Sequence, residues 1–227
     1  MTLPAKFAER VLRDLGDSEG AALCAALDTE PPVSVRLNPA KCGGTENGGA
    51  GREEDADKAV VRPDGVPPAV LADADGRVPW CGDGYYLAAR PQFTFDSDFH
   101  AGAYYVQEAS SQFVGRLMGG EGGAGKRILD LCAAPGGKTS QLAEALQGQG
   151  LLLANEFVAA RAEILRQNLE RMGVTNAVIT NEDTANLAKA LPGVFDRVLV
   201  DAPCSGEGMF RKEPVAATQH NNALVEH

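Results

Sequence analysis

The sequence predicts an α/β chain: a parallel sheet flanked by helices, preceded by a small α+β domain. Three observations carry that prediction. From residue 127 onward, short apolar runs alternate with helical patterns, which is the signature of a parallel sheet with right-handed crossovers. Gly136 and Gly137 sit where the first of these runs meets its helix. An acidic residue stands at or just beyond the end of each run, namely Asp130, Glu156, Asp183 and Asp201.

The elements follow in order. Phe7, Val11, Leu12 and Leu15 recur at helical spacing and Gly16 stops that run. A second helix is expected from Ser18 to Leu27, closed by Pro31 and Pro32. VSVRLNP at 33–39 alternates like a strand. Residues 43–58 are rich in Gly and acid and read as a surface loop. Residues 59–93 hold several short strand candidates, with Trp80, Tyr85 and Tyr86 as packing aromatics. YYVQEASSQFVGRLMGG at 104–120 reads as one helix leading into the second domain. Strands are expected at 127–132, 151–156, 177–181 and 197–203. The helix at 140–146 follows the first of them. The next helix carries Val158, Ala162, Leu165, Leu169 and Met172 on one face, and Gly173 ends it. The division expected is 1–100 for the α+β domain and 101–227 for the parallel-sheet domain, which stops after its fourth strand.

Composition narrows the function. The 227 residues are 44% hydrophobic, enough for a buried core. No run of about 18 apolar residues occurs, so no membrane span or membrane partner is expected. The N-terminal segment lacks the apolar core of a secretory signal. Five scattered cysteines (24, 42, 81, 132 and 204) suit a reducing cytoplasm, without a disulfide framework or a metal site. Cys24, Cys42 and Cys81 read as structural. The net charge of −10 opposes a broad phosphate-binding surface, so any nucleic-acid contact has to be a local basic feature or lie outside this chain.

In parallel sheets ligands sit at the carboxyl ends of the strands. The glycine turn at 136–137 lets a ligand approach the backbone, and free N–H groups at the helix start attract a carboxylate. Glu156 can accept hydrogen bonds from two ribose hydroxyls, Asp183 from an exocyclic adenine amine, and Asp201 closes the pocket. Singly, each acid is better read as a helix or loop cap; four at consecutive strand ends favour a site. Two phosphate-loop look-alikes fail. GGKTS needs a glycine where Cys132 stands, and GEGGAGKR places Arg127 where Ser or Thr is required.

ILDLCAAPGGKT at 128–139 and VLVDAPCSGEGMFRK at 198–212, with SVRLNP, VPWCGDGYYL and GAYYVQEASSQ ahead of them, carry a family likeness. The chain resembles the Sun-family RNA cytosine-5 methyltransferases, and among them the bacterial RsmF-like ribosomal RNA enzymes. The resemblance implies a Rossmann-like, S-adenosylmethionine-dependent methyltransferase sheet with RNA, ribosomal RNA in particular, as substrate. It implies that the N-terminal domain contacts RNA. It implies a cofactor site made of Cys132, Ala133, Ala134, Pro135, Gly136, Gly137, Lys138, Glu156, Asp183 and Asp201. Cys204, in its Pro-Cys-Ser turn, corresponds to the cysteine that assists product release. The family's nucleophilic cysteine is expected beyond residue 227, and the later strands and C-terminal RNA-binding part with it.

The chemistry implied is thiolate addition at carbon 6 of cytosine, which turns carbon 5 into a nucleophile for the sulfonium methyl. Asp201, beside the ring nitrogen, steadies the charge that develops, and Cys204 acts in the last step. Arg211 and Lys212 are candidates for phosphate contact or for a solvated loop. Two other readings stay open. One is a non-catalytic cofactor- or RNA-binding fragment. The other, ranked lower because Ser205 stands where that family carries Gln, is a DNA cytosine-5 methyltransferase whose turn cysteine is itself the nucleophile.

Overall fold

A computed structural model describes residues 3–42, 68–119, 123–202, 204, 206–211 and 214–219. The loop expected at 43–58 lies outside the described residues, as do Pro203, Ser205 and Lys212. The described chain forms two compact units, Met1–Pro32 with Ala202–His227, and Val33–Asp201.

In the first unit, helix α1 runs over Ala5–Leu27 and is broken at Gly16, whose φ of 80° and ψ of 167° interrupt the helix where the sequence places its stop. Phe7 and Val11 face Phe210, and the Phe7 and Phe210 rings meet edge to face at 5.1 Å. Arg10 pairs with Glu207. Arg211 donates to the Glu30 carbonyl at 2.9 Å, so this arginine holds the loop before the second unit.

The second unit begins with strand β1 (Val33–Leu37), a 3-10 turn at Ala69–Asp73, then β2 (Ala74–Arg77) and β3 (Gly84–Leu87). A short helix α2 (Ser97–His100) precedes β4 (Tyr104–Val106) and α3 (Ala109–Gly119). These four strands form an antiparallel sheet in the order β2-β3-β1-β4. The single helix expected over 104–120 is therefore divided. Tyr104–Val106 pairs with β1, Val35 opposite Val106, and the helix starts only at Ala109. Two tyrosines and a valine suit a pleated, buried surface better than a helix.

The parallel sheet follows: β5 (Arg127–Asp130), α4 (Gly137–Ala145), β6 (Leu151–Asn155), α5 (Ala159–Met172), β7 (Ala177–Thr180), α6 (Thr184–Ala190) and β8 (Arg197–Leu199). All its pairings are parallel, in the order β7-β6-β5-β8. Ile128, Leu142, Leu146 and Leu152 form the core between strands and helix α4. Ala154, Leu165 and Leu169 do the same under α5, which Gly173 ends at φ 75°. A 3-10 turn at Glu207–Met209 and helix α7 (Pro214–Gln219) belong to the first unit.

The two sheets of the second unit are joined through Arg36. Strand alternation assigns it to an outer face, yet it is 1% exposed. Its guanidinium donates to Gln107 Oε1 at 2.8 Å and to Ser140 Oγ at 2.7 Å, and pairs with Glu144. An arginine so deeply enclosed persists because each of its three guanidinium nitrogens meets an acceptor.

Candidate nucleoside-binding edge

The ends of β5 to β8 share one edge, because Asp130 is in register with Ala154 of β6 and Leu199 of β8. Asp130 is buried at 1% exposure, and its Oδ2 accepts from Thr139 Oγ1 at 2.7 Å. Its Oδ1 is buried without a hydrogen bond of normal geometry, although the Cys132 amide is close enough to favour its ionised form. Burial dominates and raises the Asp130 pKa to about 6, with the nearby Asp201 charge adding to the rise.

The turn between β5 and α4 is fastened from several sides. Ala133 N donates to the Asn155 carbonyl at 2.8 Å. Arg161 donates to the Ala134 carbonyl at 2.9 Å, and Asn168 to that of Pro135 at 2.8 Å. The Ala134–Pro135 bond is cis, and Gly136 follows at φ 110°. A Cβ on Gly136 would stand 3.2 Å from Leu165 Cδ1; one on Gly137 would stand 3.1 Å from the Tyr105 ring. Lys138 reaches across to pair with Asp201, whose side chain is 55% exposed. Cys132 lies in the negative field of Glu156, Asp130 and Asp201, and burial followed by those charges raises its pKa.

Glu156 is buried at the end of β6. Its Oε1 accepts from Val158 N at 2.9 Å, and its Oε2 lies 3.5 Å from Arg161. Each carboxylate oxygen retains acceptor capacity after these contacts. Asp183 is placed differently. Its Oδ1 accepts from the amides of Ala185 and Asn186 and so caps α6, while the residue stays at the sheet edge. Asp130, Cys132, Lys138, Glu156 and Asp201 are thus drawn together, and Asp183 is turned to its own helix. Cys204 belongs to the first unit and is exposed.

Sequence reasoning passed over Asn155. Fully buried, it donates to the carbonyls of Leu131 and Glu182 and accepts from Thr180 Oγ1 at 2.8 Å and from Glu182 N. One side chain at the end of β6 therefore holds the segments after β5 and β7. The signal was present: a polar residue closing the apolar run LLLAN. Thr139 and Arg161 were also missed, being ordinary residues in the first turns of their helices.

Chemically, the edge offers buried carboxylate acceptors, a backbone turn that excludes side chains, and one lysine. That set suits the hydroxyls, amines and carboxylate of a nucleoside bearing an amino acid. Among the described residues no group of His, Cys, Asp or Glu is arranged to hold a metal, and no helix is long and apolar enough to cross a membrane.

Residues 121–227 match the family model described as 16S rRNA methyltransferase RsmB/F, and residues 66–109 match the N-terminal domain of 16S rRNA methyltransferase RsmF. Over 143 residues the chain is 41% identical to ribosomal RNA small subunit methyltransferase F of Citrobacter koseri and 39% identical to that of Escherichia coli O157:H7. Each alignment covers 61% of this chain and 30% of the relative, so the chain spans under a third of the relatives it matches. Among solved structures, PH0851 superimposes with a TM-score of 0.79 at 23% identity, over 99% of this chain and 46% of that one. A methyltransferase homolog protein from Pyrococcus horikoshii gives 0.69 at 28% identity, over 92% and 62%. NSun6 from Pyrococcus horikoshii, solved with SFG, gives 0.62 at 16% identity, over 89% and 71%.

Proposed function

The chain belongs to the RsmB/F family of 16S ribosomal RNA methyltransferases, and from that premise we propose that it serves the S-adenosylmethionine-dependent methylation of carbon 5 of cytosine in ribosomal RNA, in the cytoplasm. The observation that carries the reading is the convergence of the Gly136 turn with the carboxylates of Asp130, Glu156 and Asp201 on one strand edge.

The residues fit the cofactor. The turn at 132–138 keeps side chains out at Gly136 and Gly137, and Asp130 retains a buried oxygen without a conventional bond. Glu156 takes the ribose hydroxyls, with Arg161 and Val158 N fixing its carboxylate. The backbone of Cys132, Ala133, Ala134, Pro135, Gly136 and Gly137 lines the amino-acid end. Asp183, whose Oδ1 caps α6, takes the adenine amine on its Oδ2. When bound, the cofactor supplies an electrophilic methyl group on a sulfonium.

The chain's own residues position the acceptor. Lys138 holds the Asp201 carboxylate at the edge, where it steadies charge on the cytosine ring as a thiol adds. Cys204 assists the elimination that frees the product; its exposure suits a reacting thiol, in contrast to Cys42, which is buried in the core.

Calorimetric titration of the chain with S-adenosylmethionine and its demethylated product tests the cofactor assignment. Saturable binding, weakened at least tenfold by Glu156→Gln, is expected; absence of any binding heat with either compound sinks it. In an active form, Cys204→Ala is expected to accumulate a covalent RNA–protein adduct on denaturing gels. Clean turnover by that variant would refute the release role.

A further inference from the structure

Away from the strand edge, a cavity of about 570 Å³ opens between the segment before α2, strand β4 and the C-terminal half of α5. Its wall includes Arg90, Phe93, Phe99, Tyr105, Asn168 and Arg171 and, among the described residues, no Asp or Glu. In a chain of net charge −10, a cavity lined by two arginines and no acid is a local reversal of sign.

The two arginines differ: Arg171 is built into the wall, and Arg90 faces outward. Arg171 Cζ lies 4.3 Å from the Phe99 ring centre and 5.5 Å from that of Tyr105. Its donors meet the carbonyls of Phe99 and Tyr104 and the amide oxygen of Asn168. Burial lowers its pKa, and no carboxylate opposes that effect. Arg90 is exposed, stacks over Phe93 at 5.5 Å, and forms no ion pair among the described residues. The cavity also backs onto the cofactor turn. Asn168 and the Tyr105 hydroxyl both donate to the Pro135 carbonyl, at 2.8 and 3.3 Å.

We propose that this cavity is a subsite for one nucleotide of the substrate strand flanking the target cytosine, with the base against the Phe93–Phe99–Tyr105 side and the phosphate on Arg90. Resting on the RNA-methylation reading, the proposal adds where the strand is gripped. Aromatic faces joined to guanidinium groups are the combination that recognises unstacked bases and backbone phosphate in single-stranded RNA. The volume falls within the range of small-ligand clefts. Anchoring there bears on the Pro135 carbonyl, so RNA and cofactor report to one turn.

The test is fluorescence anisotropy of a short cytosine-containing oligoribonucleotide against the chain, over a range of salt. Arg90→Ala is expected to weaken binding about tenfold and to reduce the salt slope by roughly 0.7, one single-strand phosphate contact. Arg90→Lys, which keeps the charge, is expected to recover most of the affinity. A photoreactive nucleotide beside the target should crosslink to peptides containing residues 90–106 or 168–171. Unchanged affinity and slope in Arg90→Ala, or crosslinks confined elsewhere, overturn the subsite while the methyltransferase reading stands. Competition by free cytidine monophosphate at concentrations equal to the oligonucleotide overturns the claim that a strand is the ligand. Failure of the unsubstituted chain to bind S-adenosylmethionine strikes the underlying reading instead.

Discussion

Thr139 Oγ1 lies 2.7 Å from Asp130 Oδ2 and 3.1 Å from the Ala133 carbonyl, so one hydroxyl in the first turn of α4 reaches both the end of β5 and the middle of the loop it follows. Both residues are buried, and the hydroxyl bond is the main influence holding the Asp130 pKa down against burial. Thr139→Val keeps the shape and removes the donor. A loss of about 1–3 kcal/mol in urea-unfolding stability is expected, because a buried carboxylate is left short of a partner. The Asp130 pKa, followed by carboxyl NMR, should rise further above 6.

Asp130 also sets a pH dependence. Its pKa rises from 3.8 in the unfolded chain to about 6 when folded, so between those values the folded state binds more protons. The stability this group contributes is therefore complete below pH 3.8 and falls as pH rises through 6. Asp130→Asn removes the titration. Wild type minus variant, measured by urea unfolding, should drop by about 1–3 kcal/mol from pH 4 to pH 7. A flat difference would mean the carboxyl is not held in its protonated form.

Arg36 carries the joint between the two sheets. Arg36→Ala strips donors from Gln107, Ser140 and Glu144 at once. A loss of about 3–5 kcal/mol is expected in chemical denaturation. Arg36→Lys should restore little of it, since a point charge cannot reach Gln107 and Ser140 together.

How much of this was readable beforehand depends on where each residue's contacts lie. The parallel sheet was legible because its strands are continuous apolar runs, and α5 because Leu165, Leu169 and Met172 repeat on one face. The glycine turn and the strand-end acids were legible from spacing. Helix α6 was not: seven residues with only Leu187 buried carry too little periodicity. Strand β4 was hidden because three residues have no period, and only β1 opposite them makes a strand. Arg36 and Asn155 were illegible for the same reason, since their partners lie on other elements and local pattern assigns polar residues to water. Asp183 shows the limit of the acid argument, because its capping bonds are local and its position at the edge is topological.

Asn155→Ala tests the edge as a unit. The substitution leaves the Leu131 and Glu182 carbonyls and the Thr180 hydroxyl without that partner. A loss of about 2–4 kcal/mol in stability is expected, with faster amide exchange at 131–133 and 180–183 and slower change elsewhere.

Gly136→Ala separates backbone geometry from side-chain chemistry. At φ 110° an alanine is strained whatever the space, and its Cβ would also press Leu165 Cδ1 at 3.2 Å. A stability loss of about 1–3 kcal/mol is expected by thermal unfolding. Gly137→Ala is limited by contact alone, 3.1 Å from the Tyr105 ring, and the ring can yield. It should cost less than about 1 kcal/mol. Calorimetry with S-adenosylmethionine then distinguishes the two. If the turn cradles the cofactor, Gly136→Ala weakens binding by far more than its stability loss predicts from the unfolded fraction. Equal weakening by both variants would mean that the turn acts on the ligand only through general packing.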